Sequence, residues 1–326
     1  MAPDFAAFHS GSGEGVSVGW PLFGHEAAER LFLDAHAQTR LHHAWLIEGP
    51  EGIGKARLAA RLTGYLFGAR GPADRPLDSD DADPVWRAVA SGNHPDFRVV
   101  RRELNDKGKL TQDITVDQIR ALTDFFTMKP ALGGWRIGIV DAIDEANRNG
   151  ANALLKTLEE PPPRCVLFLI NHGRQPILPT IRSRCRVLKL SALSESDCSK
   201  ALEAAGAPRD AARIAKGRPG KGIRLSSPSA LAAAEAARAL LRYAPGLPDS
   251  LVMPALSAAA VDAAAMEAFQ SELMDWVADR AETHPAAAKL WLKLARLTGD
   301  AELLNMDAAQ VAAKLVAGLY ELAQPV

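Results

Sequence analysis

The segment 49–56, which reads Gly-Pro-Glu-Gly-Ile-Gly-Lys-Ala, constrains the fold of this chain more than any other. It follows the phosphate-binding pattern G-x-x-x-x-G-K-[S/T] at every position except the last. An apolar run at 44–48 precedes it, and residues 55–67 continue with leucines at helical spacing. Because a phosphate-binding loop requires a strand before it and a helix after it, the sequence predicts such a loop and not an unrelated glycine-rich turn.

In an intact loop, backbone N–H groups and a helix N-terminus surround the phosphates, while the lysine contacts their oxygens. We assign this role to Gly49, Gly52, Gly54 and Lys55. The last position normally supplies a hydroxyl that holds magnesium, and Ala56 has no oxygen to offer. The sequence therefore predicts a degenerate nucleotide site.

A second candidate is Asp141, which ends the apolar run 137–140. Nucleotide-hydrolysing sites of this class place a magnesium-holding aspartate at such a strand end, and a glutamate base directly after it. Here the next residue is Ala142, and the acidic residues Asp144 and Glu145 are displaced along the chain. We include Asp141 in the degenerate nucleotide site, and a purely structural role for it stays open.

Alternation of strands and helices predicts an α/β domain with a mostly parallel sheet covered by helices. Further strand candidates lie at 97–100, 137–140, 166–170 and 186–190, and helices at 27–38, 116–126 and 150–160. After residue 190 only helices are predicted, including 230–241 and 261–277, with a break near 244–249. We therefore predict domains at 1–192, 193–245 and 246–326, with 1–20 a flexible arm and 68–83 a solvated loop.

Composition excludes several functional classes. The 326 residues carry a formal net charge of −1, so no global field attracts nucleic acid. The cysteines Cys165, Cys185 and Cys198 show no paired short spacing, which predicts free thiols and no metal site. The beginning of the chain lacks the features of a signal peptide, and no apolar run is long enough for a membrane span. These observations predict a cytoplasmic location.

Two further segments are diagnostic: 152–162, Asn-Ala-Leu-Leu-Lys-Thr-Leu-Glu-Glu-Pro-Pro, and 180–186, Thr-Ile-Arg-Ser-Arg-Cys-Arg. With the phosphate loop and the shorter segments 22–25, 94–96 and 132–134, they are spread from residue 22 to residue 186. In this combination the chain resembles the delta-prime subunits of the bacterial DNA polymerase III clamp loader, which belong to the AAA+ class. A weaker likeness continues into the helical remainder, so that the resemblance covers well over half of the chain.

The resemblance implies an AAA+ module at 1–192, a helical lid at 193–245 and a helical collar at 246–326. It further implies a five-membered ring with a motor subunit and a delta-like subunit, reaching the sliding clamp and primed DNA through the complex and involving no membrane. Arg184, supported by Ser183 and Cys185, would be an arginine finger acting in trans on the motor subunit's ATP. From charge alone, Arg184 would instead be read as one cation on a solvated face.

The sequence departs from the motor subunits of that family at several positions. A serine or threonine is replaced by Ala56, a base by Ala142 and a sensing arginine by Gly220, while a sensing polar residue is altered at His172. The four-cysteine zinc module of many relatives is absent, so zinc is not expected. We expect no required cofactor, and residual ATP binding stays open. The chain alone should have no ATPase or polymerase activity, although it would be part of the polymerase holoenzyme, which is a nucleotidyltransferase.

Two alternatives remain from the residues. The chain could be a self-sufficient AAA+ ATPase that uses Glu145 in place of the missing base. Separately, a basic cluster could contact DNA phosphates or could be a solvated loop. The cluster consists of Lys216, Arg218, Lys221 and Arg224.

Overall fold

A computed structural model describes residues 21–104, 110–244, 246–281, 284–303 and 306–323. The predicted arm at 1–20 lies outside the described residues. The chain folds into two compact units. The first extends to Ala205 and includes Gly217–Gly220, and the second holds Gly206–Lys216 and the residues from Lys221 onward. The residues predicted to form a lid are thus shared between the two units, and the three-domain division stays a prediction.

The first unit is built on a parallel sheet, as the sequence predicted. Its strands are β1 (Ala44–Glu48), β2 (Phe97–Arg101), β3 (Arg136–Asp141), β4 (Cys165–Asn171) and β5 (Arg186–Lys189), in the order β2-β3-β4-β1-β5. Each neighbouring pair is parallel, and the register sets Glu48 opposite Asn171 and Lys189. The carboxyl ends of all strands therefore meet at one edge, where parallel sheets bind their ligands.

Helices cover both faces of this sheet. The helices of the first unit are α1 (Glu26–Ala37), α2 (Lys55–Phe67), α3 (Pro84–Ala90), α4 (Val116–Thr127), α5 (Arg148–Ala153), α6 (Leu155–Glu159), α7 (Pro179–Arg182) and α8 (Glu195–Ala204). On one face, Phe32 of α1 packs against Trp45 and Phe168, with ring centroids 5.0 and 5.9 Å apart. On the other, Leu122 and Phe126 of α4 join the apolar core. This two-sided burial explains why the strands read as continuous apolar runs.

The segment 68–83 differs from its prediction as a solvated loop. It contains no helix or strand, but Leu77 is 3% exposed and Asp78 forms an ion pair with the buried Arg61 of α2. The amide of Gly71 also donates to the carbonyl of Pro76. The segment is packed because the buried Ala69 and Leu77 and the ion pair of Asp78 attach it to the domain, and its Pro-, Gly- and Asp-rich composition does not reveal these contacts.

The second unit is helical throughout its described residues. It contains α9 (Ala211–Ala215), most of α10 (Pro219–Arg224), α11 (Pro228–Leu241), α12 (Asp249–Ala259), α13 (Ala263–Ala281), α14 (Pro285–Leu303) and α15 (Ala308–Tyr320). Ala233 of α11, Phe269 of α13 and Leu315 of α15 belong to one apolar cluster. None of the described helices is long and apolar enough to cross a membrane.

Three cations of the basic cluster near α10 belong to this unit, whereas Arg218 belongs to the first. The three pair with carboxylates of α13: Lys216 with Glu272 (3.4 Å) and Asp275 (3.1 Å), Lys221 with Asp275 (3.1 Å), and Arg224 with Glu267 (2.6 Å). Both Lys221 and Glu272 are buried. For Lys221 the prediction of a solvated loop is wrong, because its ammonium is taken out of water to pair with a carboxylate.

Candidate nucleotide loop and arginine motif

The predicted phosphate-binding loop follows β1 at the carboxyl edge of the sheet, and α2 begins at Lys55. Its glycines have backbone conformations that side chains disfavour, with φ of 151° at Gly49, 82° at Gly52 and 102° at Gly54. A Cβ at Gly49 would lie 2.4 Å from the carbonyl oxygen of Leu190. The glycines are thus required by the loop's shape, whatever it binds.

Lys55 is turned into its own loop and is 2% exposed. Its Nζ donates to the carbonyl oxygens of Gly49 at 2.5 Å and Pro50 at 2.6 Å. Burial lowers the pKa of Lys55 to about 8, against the opposing effect of Asp141 and Glu51. A nucleotide phosphate would have to compete with the loop carbonyls for this ammonium.

Two further groups hold the loop from outside. His25 is buried, its pKa lowered by burial, and its Nε2 lies 2.8 Å from the carbonyl oxygen of Ile53. The amide of Gly220 donates to the carbonyl of Gly52 at 2.8 Å. A Cβ at Gly220 would lie 3.0 Å from Gly52 Cα. The position predicted for a sensing arginine is therefore in backbone contact with the loop.

Asp141 ends β3, as predicted, and its Oδ1 lies 3.6 Å from His172 Nε2. Ala142, at the expected base position, is fully buried. Asp144 is also buried and accepts the amides of His172 at 3.0 Å and Arg174 at 2.8 Å. Asp144 therefore stabilises the turn after β4 and is not free to act as a base.

Glu145, the alternative base, is held by two arginines. Its carboxylate lies 2.8 Å from Arg174 Nη1 and 2.8 Å from Arg102 Nε. The other Nη of Arg174 contacts Glu51 of the phosphate loop at 2.6 Å. Sequence analysis missed Glu51 and Arg174 as a pair, since 123 residues separate them and neither fits a motif.

Arg184 lies just beyond α7, with its side chain 35% exposed. One terminal nitrogen pairs with Glu159 Oε1 at 2.8 Å and the other donates to the carbonyl of Thr180 at 2.9 Å. Ser183 Oγ donates to the same carbonyl at 3.1 Å. The diagnostic segments 152–162 and 180–186 are thus in direct contact, through Glu159 and Arg184.

The arginine motif is also attached to β1. Arg182 forms an ion pair with Glu48, the last residue of that strand, and Asn171 Nδ2 lies 3.4 Å from the same carboxylate. Burial raises the pKa of the neighbouring Cys185 to about 12, so its thiol stays protonated and packs as an apolar group. All three cysteines are free, as predicted. Within the described residues, no cluster of three or more His, Cys, Asp or Glu side chains could hold a metal ion.

Comparison with known proteins decides the family. The model of the family described as DNA polymerase III, delta subunit, matches residues 24–194. The chain belongs to this family. The match includes the phosphate loop, Asp141 and the whole arginine motif, and it ends at residue 194, before α8 begins.

Individual relatives agree with the family match. The chain is 40% identical over 143 residues to the DNA polymerase III subunit delta′ of Pseudomonas aeruginosa, covering 44% of this chain and 41% of the relative. It is 33% identical over 164 residues to the subunit delta′ of Bacillus subtilis, covering 50% and 46%. The matched region thus spans less than half the length of these relatives. A solved structure, a DNA polymerase III gamma subunit-related protein from Thermotoga maritima, superposes with a TM-score of 0.43 at 16% identity, covering 92% of this chain and 99% of that one.

Proposed function

We propose that this chain is a delta-prime-like subunit of a DNA polymerase III clamp loader, which hydrolyses no ATP itself and completes a neighbouring motor subunit's site with Arg184. The observation that carries the proposal is the contrast between two sites on one domain. The chain's own nucleotide loop lacks groups that hydrolysis needs, while an exposed arginine is held in position in the motif that resembles an arginine finger.

The loss of hydrolysis follows from three positions. Ala56 offers no oxygen to magnesium, buried Ala142 offers no base, and Gly220 offers no guanidinium. Phosphoryl transfer depends on positioning and on charge stabilisation by such groups, so each loss weakens the transition state. Gly49, Gly52, Gly54, Lys55 and Asp141 would then retain at most residual ATP binding, with no cofactor required.

A role in trans is supported by the surroundings of Arg184. Its carboxylate partner Glu159 orients the side chain, and both groups are partly exposed, so the ion pair is weak and exchangeable. A phosphate carries more negative charge than one carboxylate and accepts two parallel hydrogen bonds from a guanidinium. In a complex, the arginine would leave Glu159 and stabilise charge on the transferred phosphoryl group.

The remaining parts of the proposal concern the assembly. The chain would occupy one position of a five-membered cytoplasmic ring, beside a motor subunit and a delta-like subunit. It would reach the sliding clamp and primed DNA through that complex. Family membership supports this setting, and the helical residues 246–326 would form the collar.

The test is ATP hydrolysis by the reconstituted complex of motor subunit, delta-like subunit and this chain, stimulated by clamp and primed DNA. Arg184→Ala should assemble normally and lower turnover by about tenfold or more. Arg184→Lys should also be slow, since lysine keeps the charge and loses the planar fork. The matched control is Arg148→Ala, an exposed arginine of α5, which should leave turnover unchanged. Normal turnover with Arg184→Ala would refute the role in trans.

The alternative, a self-sufficient ATPase, is tested by the chain alone. Glu145 would have to leave Arg174 and Arg102 before it could accept a proton. We expect no turnover above the background of Lys55→Met. Turnover by the chain alone that is abolished by both Lys55→Met and Glu145→Gln would establish the alternative.

A further inference from the structure

The helices α14 and α15 of the second unit form a groove of about 630 Å³ between them. Leu297 of α14 and Ala317 of α15 contribute accessible apolar surface to it, and the buried Leu294 and Gly318 also line it. Gly318 permits this close approach, because a Cβ there would lie 3.0 Å from Leu294 Cδ2. Such a volume is within the range of sites that accept several apolar groups.

One exposed leucine distinguishes the groove from an ordinary solvent-exposed surface. Leu292 lines it and is 60% exposed. The neighbouring lining residues of α14 are Lys289, Lys293 and Arg296, which share one helix face with Leu292. An exposed apolar side chain within a polar rim is characteristic of surfaces that bind a partner.

The rim carries an excess of positive charge. Among the described residues that line the groove, the cations are Lys289, Lys293, Arg296 and Lys314, and the one carboxylate is Glu321. Glu321 already pairs with Lys293. Within the part of the chain that the structure describes, the other three cations have no ion pair across the groove. Placed around one apolar floor, they create a local positive potential.

We propose that this groove binds an acidic amphipathic helix of a partner protein. The apolar face of that helix would lie on Leu292, Leu297 and Ala317, and its carboxylates would meet Lys289, Arg296 and Lys314. This is the helix-in-groove mode, in which anchors at i, i+3, i+4 and i+7 fill an apolar groove. Charge complementarity would set the orientation and the rate of association.

The observations favour a peptide over nucleic acid. A phosphate backbone would use the cations, but it would leave Leu292 and the apolar floor without a partner. An acidic helix uses both features at once. Aromatic stacking with bases is also disfavoured, because the lining residues that the structure describes include no aromatic side chain.

The probe for the test is a synthetic peptide of about 14 residues, roughly four helical turns, with leucines on one face and glutamates beside them. It carries a fluorophore, and binding to the full chain is followed by anisotropy. We expect a Kd of about 1–100 µM that weakens with added salt. Peptides with every leucine changed to serine, or every glutamate to glutamine, should bind about tenfold more weakly or worse.

Variants of the chain locate the binding. Leu292→Gln and the double variant Arg296→Glu with Lys314→Glu should each weaken the peptide by about tenfold. The matched controls are Met253→Gln and Arg213→Glu, which change an exposed methionine and an exposed arginine of the same unit and should change nothing. Circular dichroism confirms that each variant is folded.

Three results would overturn the proposal. The first is the absence of saturable peptide binding up to about 1 mM. The second is binding that the groove variants leave unchanged. The third is displacement of the peptide by duplex DNA whose own affinity falls with Arg296→Glu and Lys314→Glu but not with Leu292→Gln, since that pattern identifies a phosphate site.

Discussion

Asp96 links two of the diagnostic segments at the level of single atoms. It is 1% exposed, accepts the amides of Ala131 at 2.7 Å and Leu132 at 2.9 Å, and pairs with Arg136 at 3.0 Å. Burial alone would raise its pKa, but the two amides and the guanidinium together lower it. The carboxylate of 94–96 therefore fixes the turn at 131–134 in front of β3.

Asp96→Asn should destabilise the domain by about 2–4 kcal/mol, because it leaves Arg136 buried without its counter-ion. A folded-state pKa below the unfolded value stabilises the protein above the unfolded pKa, and that stability is lost as pH falls through the folded value. The difference in free energy of unfolding between the wild type and Asp96→Asn should therefore shrink below about pH 4. Urea unfolding measures both effects. The control is Asp124→Asn, at an exposed aspartate, which should leave the free energy of unfolding nearly unchanged.

Lys55 gives a prediction of the same sign in a higher pH range. Its folded-state pKa of about 8 is below the unfolded value, so between the two the unfolded chain binds more protons. The stability of the wild type should rise, relative to Lys55→Met, from about pH 7 to about pH 10. Urea unfolding of both proteins across this range measures the difference. A constant difference would show that Lys55 is not buried in its own loop.

Single residues of the site were predictable only where a local pattern fixes them. Gly49, Gly54 and Lys55 follow from the loop pattern, and Asp141 from its place after an apolar run. The partners of Glu145 could not be predicted, because Arg102 follows β2, Glu145 follows β3 and Arg174 follows β4. Only the folded chain brings these three side chains together. No spacing in the sequence encodes that contact.

At the scale of elements, the contact between the first turn of α10 and the phosphate loop limits what position 220 can hold. Gly220→Arg would place a Cβ 3.0 Å from the backbone of Gly52, and backbone atoms cannot turn aside as a side chain can. We expect the variant to lose about 1–3 kcal/mol and to gain no ATPase activity. Gly134→Arg is the control, since a Cβ there meets nothing within 4 Å. Thermal unfolding of both variants measures the loss of stability.

Element bounds were predictable where a pattern is long and its end is marked. The observed bounds of β1 and α2 are those predicted, because glycines lie on both sides of α2. The helical segment predicted at 150–160 is confirmed, but it begins earlier, because Asn147 caps it through the amide of Gly150, and it divides at Leu154. Helix α3 was missed, although Asp83 followed by a proline is a helix start signal.

The whole molecule has separate apolar cores in its two units. Leu315 belongs to the second core and Leu169 to the first, and both are fully buried. Leu315→Ala should cost about 2–5 kcal/mol in the second unit. Hydrogen exchange should then accelerate in α11–α15 and stay unchanged in β1–β5. Equal acceleration in both units would show that they unfold as one.

The large-scale plan could be predicted because it depends on repeated patterns. Alternating strands and helices gave the sheet, and the change to alanine-rich helices marked the second part of the chain. The division at Ala205 and Lys221 could not be predicted. It depends on backbone hydrogen bonds, such as that from the amide of Leu193 to the carbonyl of Gly217 at 2.8 Å. Patterns of side chains in a sequence do not predict such bonds.

The packed segment 68–83 also affects how the protein would behave toward proteases. Its composition suggests an easy cleavage site for trypsin after Arg70, while Arg75 is protected by the proline that follows it. Yet Arg70 lies 4.1 Å from the ring centroid of Tyr65, and Arg75 pairs with Asp78 at 3.1 Å. Trypsin needs extended, released backbone, which this segment can supply only after Leu77 and Asp78 have come away from the domain. A segment whose composition predicts a solvated loop should thus resist digestion in the folded protein.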